Sequence, residues 1–262
     1  WMAARAWVKR VDLNVPVASI VEALTTADES YVGPKPEGVT NFVPDDGSAL
    51  AAPVADSAHS HLGPIVLMDV GDNIGGGSSA DSTFILAQAK QMGIKGLLLS
   101  LYDPEAIATC LATGVGGVVT LEVGGKTDDM HGEPVHVTGT VRGISDGRFE
   151  ETRPIHGGYR YFEAGTCIRL DTTDDHTILL TGRRSGNTSR EQMYHIGIWP
   201  EKYRVVVAKG VVSPRPAYQP IAAEVILVNT PGVTTADLET FTYERRRIPL
   251  YPFEDATYDE VL

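Results

Sequence analysis

Cysteine is nearly absent from the 262-residue chain, with Cys110 and Cys167 the only two. That excludes a disulfide-stapled scaffold and predicts two reduced thiols in a cytoplasmic protein. Long apolar runs are missing too: none approaches the ~18 residues that a membrane span needs. No signal-peptide pattern opens the chain, and a start at Trp1 followed by Met2 reads as a fragment or a processed chain. Positive charge is scarce. Lys and Arg number 22 against 34 Asp and Glu, for a formal net charge of -12. Nucleic acid and anionic membrane surfaces both need a basic face, so neither is an expected partner. A homo-oligomer is compatible with this composition. There is no internal repeat.

Several chemical signatures are also lacking. No H-E-x-x-H motif or cysteine pair occurs, and His59, His61, His131, His136, His156, His176 and His195 are scattered without ligand spacing. The expectation is therefore no metal ligands in this chain. Ser82, Ser100 and Ser213 lack the G-x-S-x-G elbow of serine hydrolases. A P-loop ending at Gly125, Lys126 and Thr127 would need glycine at position 120, where Thr120 stands.

What is present is an ordinary globular balance, 42% hydrophobic and 21% charged, in a chain long enough to bury a full core. Residues 1–10 read as the tail of a helix and residues 12–18 as a short strand. Ser19 and Glu22 fit a capping box that starts a helix reaching about Ala27. Residues 31–62, rich in Pro, Gly, Ala, Ser and Asp, read as a flexible linker. The run PIVLMDV over 64–70 predicts a buried parallel strand. A glycine-rich turn follows, then a helix over 82–92 stopped by Gly93, and a second buried strand over 95–102. Asp103 caps the next helix, with Pro104 at its first position, and a third strand covers 117–123. This alternation predicts a parallel sheet with right-handed crossovers. Period-two strands follow over 135–144, 158–162, 166–171 and 177–181, then a short helix over 190–196. Buried strands close the pattern at 203–209 and 224–229. The fold class is α/β: a mainly parallel sheet with flanking helices and an antiparallel β-rich insertion, occupying residues 63–262.

The chemistry concentrates in residues 69–83, where a parallel strand ends and a helix begins, the ligand edge of an open α/β sheet. Gly75, Gly76 and Gly77 allow close backbone approach to a ligand, and the start of the helix favours an anion. Asp69, Asp72, Asn73 and Asp81 add acceptors. The run from Gly75 to Ala80 also fits a dinucleotide fingerprint, but its first glycine stands too far beyond the strand. Lys126, Arg183, Arg184 and the segment from Lys209 through Ser213 to Arg215 put basic groups at other strand ends, suited to a carboxylate or a developing negative charge.

These residues bring a resemblance into view. PIVLMDVGDNIGGGSSADST, SLYDPEAIA, VTLEVGGKTD, HGEPVHVTGTVR, SDGRF, VVVAKGVVSPRPAYQPIAAEVILVNTPG and RRRIPLYPFE occur in this order. Together they resemble the C-terminal domain of the MlrC zinc metallopeptidase family, which includes enzymes acting on linearised microcystin. The resemblance covers residues 64–254, and residues 1–30 are similar to the segment that joins the two halves. It implies a hydrolase of about twice this length, with zinc and the catalytic acid/base in an N-terminal domain. This chain would bind a small peptide or amide substrate through Asp72, Asn73, Gly75, Gly76, Gly77, Asp81, Lys126, Lys209, Ser213 and Arg215. Ile74 stands where the family pattern expects proline, and Ala80 where it expects glycine. Two other readings stay open, a non-catalytic binding or assembly module and a nucleotide-binding α/β protein.

Overall fold

In the computed structural model of the protein, the described residues are 18–30, 63–251 and 253–254. The helix tail read over 1–10, the strand residues before Ala18 and the linker read over 31–62 lie outside them. Ala18–Ala236 forms one compact unit, and the residues from Asp237 belong to another.

Local signals set most of the elements. Helix α1 (Ile20–Ser30) starts at a reciprocal cap: the Ser19 amide donates to Glu22 Oε2 at 2.9 Å, and the Glu22 amide donates to Ser19 Oγ at 3.3 Å. Strand β1 (Ile65–Asp69) is buried along its whole length. Helix α2 (Phe84–Met92) ends at Gly93, whose φ of 71° lets its amide reach back to the last turn. Strand β2 (Leu97–Tyr102) leads to helix α3 (Pro104–Thr113), where the Asp103 carboxylate accepts from the Ala106 amide at 2.9 Å. Then come β3 (Val118–Val123), β4 (Val135–Ser145), β5 (Arg148–Glu150), β6 (Tyr161–Glu163), β7 (Cys167–Thr172) and β8 (His176–Thr181). Helix α4 (Glu191–Tyr194), β9 (Val205–Lys209), helix α5 (Arg215–Tyr218) and β10 (Glu224–Val228) complete the unit.

Eight strands form one sheet in the order β10-β1-β9-β2-β8-β7-β4-β3, and β5 and β6 pair separately. The first five run parallel; β7, β4 and β3 continue by antiparallel pairing. Alternate side chains of β1 feed two cores. Ile65 and Leu67 pack with the helices α1, α2 and α3, whereas Val66 and Met68 pack with Met193, Ala217 and Tyr218 on the other face. A strand buried on both faces has no polar side, which is why its sequence reads as a continuous apolar run.

The expected all-parallel run of the first three strands needs correction. β1 and β2 are parallel but not neighbours, because β9 lies between them. β3 is an edge strand, antiparallel to β4. Its burial alternates where β1 and β2 are sealed, since Thr120 and Glu122 turn to solvent. Such a half-exposed strand suits an antiparallel edge. The strand read over 158–162 is shorter, because a 3-10 turn occupies His156–Gly158.

In the second unit the described residues form a 3-10 turn (Leu238–Thr240) and a paired Arg246–Glu254, with Arg246 stacked 4.7 Å over the Phe253 ring.

Candidate functional site at the carboxyl edge of the sheet

Parallel pairing places the last residues of β1 and β9 side by side, Asp69 opposite Lys209. The chain turns sharply after Asp69 and returns Asp72 to the same spot. Lys209 Nζ lies 2.7 Å from Asp72 Oδ2 and 3.6 Å from Asp69 Oδ2. Asp72 is completely buried and collects four donors. Ser78 Oγ and the Ala80 amide (2.8 Å) bond to Oδ1; the Ser82 amide (2.8 Å) and Lys209 Nζ bond to Oδ2. Burial alone would raise the pKa of this carboxyl. The Lys209 charge and the hydrogen bonds from Lys209, Ser78 and Ser82 outweigh it and hold the value down at about 2. Burial likewise opposes the Lys209 charge, yet Asp72 and Asp69 push its pKa up. Asp69 is raised, first by burial and further by the nearby Asp72, against the pull of Lys209.

Around this pair the loop is locked. Gly71 passes so close to residues 230–231 that an added Cβ would lie 2.2 Å from the Thr230 carbonyl oxygen. Thr234 Oγ1 accepts from the Asn73 amide at 2.9 Å and lies 2.8 Å from the Val70 and Gly71 carbonyls. Gly75, Gly76 and Gly77 stand exposed above the buried anchor, and Asn73 is half-buried. Ala80 adopts a φ of 68°, the left-handed region. Just before α2 the Ser82 amide is taken by Asp72 and the Thr83 amide by the His131 carbonyl at 3.0 Å.

A second loop joins from β3. Asp81 Oδ2 accepts from the amides of Lys126 and Thr127, both at 3.0 Å, and the Gly124 amide donates to Asp103 Oδ2 at 2.9 Å. Lys126 Nζ sits 3.1 Å from Asp103 and 3.7 Å from the exposed Glu105, so its charge is largely answered within the chain. A third contributor, His131, was not singled out by sequence reasoning. Its Nδ1 lies 2.7 Å from Asp128 Oδ1, and its Nε2 lies 3.0 Å from Ser78 Oγ and accepts from the Val233 amide at 3.4 Å. This one buried ring ties together the loops 71–83, 124–134 and 230–236. The Asp-x-x-His spacing of 128 and 131 was a usable signal for half of this; the contact with Ser78, 53 positions away, had none.

The remaining basic residues diverge. Arg184 donates from Nε to the Ser79 carbonyl at 3.1 Å and stacks 4.6 Å over the Tyr102 ring. Arg183 pairs with Glu163 on the surface. Ser213 and Arg215 are partly exposed in the turn after β9, and no described residue pairs with the Arg215 guanidinium. The structure thus joins Asp69, Asp72, Asp81 and Lys209 in one buried cluster, seats the glycine loop over it, and leaves Arg215 at that strand end without an ion-pair partner among the described residues.

The profile of the MlrC C-terminus family matches residues 67–245. The chain belongs to that family. Microcystinase C of a Sphingomonas species is 27% identical over 195 residues, which span 73% of this chain and 36% of the relative. The fold of this MlrC C-terminal domain is also similar to the crystal structure of a protein from Mesorhizobium sp. BNC1 provisionally assigned as a metallopeptidase. The TM-score is 0.72 at 23% identity, over 97% of this chain and 44% of that one. The chain therefore spans less than half the length of either relative.

No group of three His, Cys, Asp or Glu side chains able to hold a metal occurs among the described residues of the MlrC domain. The donor chemistry agrees. The Asp69 and Asp72 carboxylates face an ammonium, and both nitrogens of His131 are engaged by Asp128 and Ser78. A zinc ion does not fit this set. No helix among the described residues is long and apolar enough to cross a membrane.

Proposed function

We propose that this MlrC C-terminal domain forms the substrate-facing side of a metal-dependent peptide or amide hydrolase. Its zinc would be held by an N-terminal domain, preceding in the chain or present as a second chain. The observation that carries this reading is the exposed glycine loop anchored on the buried Asp72–Lys209 pair at the carboxyl edge, in a chain of this family. Anchoring of this kind is what a binding loop needs: an exposed surface held at fixed geometry, here a turn closed by the Gly76 amide on the Asn73 carbonyl and the Gly77 amide on the Ile74 carbonyl. Because the described donors do not fit a metal, the role of this chain is to bind and orient. Asn73 and the backbone of residues 75–77 would line the substrate, Arg215 would hold a substrate carboxylate, and Ser213 would add a hydrogen bond. Asp72, Asp81 and Lys209 act from beneath, by fixing the loop. Lys126 is the weaker substrate ligand, being paired already with Asp103. Two buried free thiols suit a cytoplasmic setting.

The test is intact mass and metal analysis of the protein purified from its source, with hydrolysis of small peptides assayed on the same sample. The expected result is a longer or two-chain species with stoichiometric zinc and turnover abolished by chelation. A protein of this mass alone, free of metal and inert but binding small carboxylates, would replace the hydrolase by a stand-alone binding module.

A further inference from the structure

Beside the Asp72–Lys209 pair, the buried charges do not balance. Asp69, Asp72 and Asp81 are each no more than 1% exposed, and Lys209, at 2%, is the one buried ammonium among them. Asp81 is close enough for its charge to act on Lys209. The neighbouring cations are engaged elsewhere: Lys126 Nζ with Asp103 and the Glu122 carbonyl, Arg184 Nε with the Ser79 carbonyl. Burial shifts Asp69 toward its neutral form, against the pull of Lys209. Asp81 has no lysine or arginine of the described residues in ion-pair contact, since Lys209 pairs with Asp72 and Asp69 and Lys126 with Asp103. Its Oδ2 takes two backbone amides, but its Oδ1 is buried with no described partner. Ser79 Oγ and Ser82 Oγ, one and two residues from position 80, are buried and unpartnered too. Three orphaned oxygens within four consecutive residues, one of them on a carboxylate, are an uncommon concentration, since nearly all buried polar atoms find a partner.

We propose that Asp81 Oδ1, with the hydroxyls of Ser79 and Ser82, binds a small monovalent cation of the sodium or potassium class. A water molecule would satisfy the hydrogen bonds and leave the buried charge uncompensated, which is the costlier defect. A divalent ion is a poorer match, because calcium sites commonly bring several carboxylates and here a single carboxylate oxygen is open. Asp81 Oδ2 is held by the amides that begin the 126–127 turn, so the cation would couple that turn to the glycine loop. The site stands independently of any hydrolase activity.

Thermal unfolding of the intact protein in sodium, potassium and N-methylglucamine chloride at equal ionic strength tests the proposal, together with the line width of sodium-23 in NMR. The expected result is a saturable rise of the midpoint with one of the small cations. It should reach roughly 5 °C or more at about 100 times the dissociation constant. Sodium-23 broadening should be reversed by the tighter ion. Asp81→Asn should abolish the response. Ser82→Ala, which removes no described side-chain hydrogen bond, should weaken the apparent affinity on the order of tenfold. Equal midpoints in all three salts and no sodium broadening in the wild-type protein would overturn the site. So would an unchanged cation response in Ser82→Ala and Asp81→Asn. If Asp81→Asn does not fold, Ser82→Ala and the wild-type line widths decide.

Discussion

Lys209 is the residue on which the carboxyl edge turns. A lysine that is 2% exposed survives burial only because Asp72 lies 2.7 Å away and Asp69 is its register partner. Truncating one member leaves the other charge buried without its complement. Lys209→Met is therefore expected to destabilise the protein by about 3–5 kcal/mol in urea unfolding. Lys209→Met combined with Asp72→Asn should cost less than the sum of the single changes by at least ~1 kcal/mol, a coupling that independent sites would not show. Ala80 makes the opposite case. Its φ of 68° is held by its amide on Asp72 and its carbonyl on the Tyr102 amide. A left-handed non-glycine residue costs roughly 1–2 kcal/mol, part of which glycine returns as unfolded-state entropy. Ala80→Gly should raise stability by about 0.5–1 kcal/mol, and an unchanged urea midpoint would refute the strain. The departure from glycine at this position was visible in the sequence; that it falls on a positive φ was not. The roles of Asp72 and Lys209 were only half legible. Both were picked out as strand-end polar residues with a ligand in mind, but sequence does not reveal that 137 positions apart they answer each other.

Elements were legible where the signal is local. The Ser19–Glu22 box, Asp103 with Pro104, and Gly93 each sit where their hydrogen bonds predict. Strand order was not legible, because it rests on pairings between distant segments: nothing in KGLLLSLY says that β9, a hundred residues on, separates it from β1. β3 did carry a sign in its alternating Thr120 and Glu122, which suits an antiparallel edge and not the parallel run expected of it. Strand β8 gives this scale its prediction. Its first residue, His176, is 1% exposed, with neither ring nitrogen partnered among the described residues. Burial lowers its pKa from 6.5 to about 4, against the pull of Asp174. Between those values the unfolded chain binds the proton and the folded one does not, so stability rises with pH through that window. The contribution is complete above about pH 6.5 and lost as pH falls to about 4, on the order of 3 kcal/mol. His195, lowered mainly by burial, acts with the same sign. His176→Leu should flatten the acid limb of a stability–pH curve measured by urea unfolding between pH 4 and 7. A variant curve parallel to wild type would place the titration elsewhere.

Across the whole molecule, the sheet separates support from contact. The buried groups at its carboxyl edge bond to one another, and what they hold out is the glycine loop and the turn carrying Ser213 and Arg215. If that edge faces substrate, changes there should alter turnover without altering the fold. Arg215 is partly exposed and free of described partners, so Arg215→Ala removes a cation without breaking an internal bond. Arg183, paired with Glu163 on an exposed surface, is the control of like charge. In the metal-loaded holoenzyme, Arg215→Ala is expected to lower kcat/KM for a peptide carrying a free carboxylate by about 10- to 100-fold, with the thermal midpoint unchanged. The loss should shrink for the same peptide with its carboxylate amidated, because the lost bond is then absent from both proteins. Arg183→Ala should leave both substrates untouched. Equal losses on the free and amidated peptides would mean that Arg215 shapes the loop and does not hold the substrate. Equal losses in the two arginine variants would assign the effect to net charge at long range, and that would disappear as ionic strength rises.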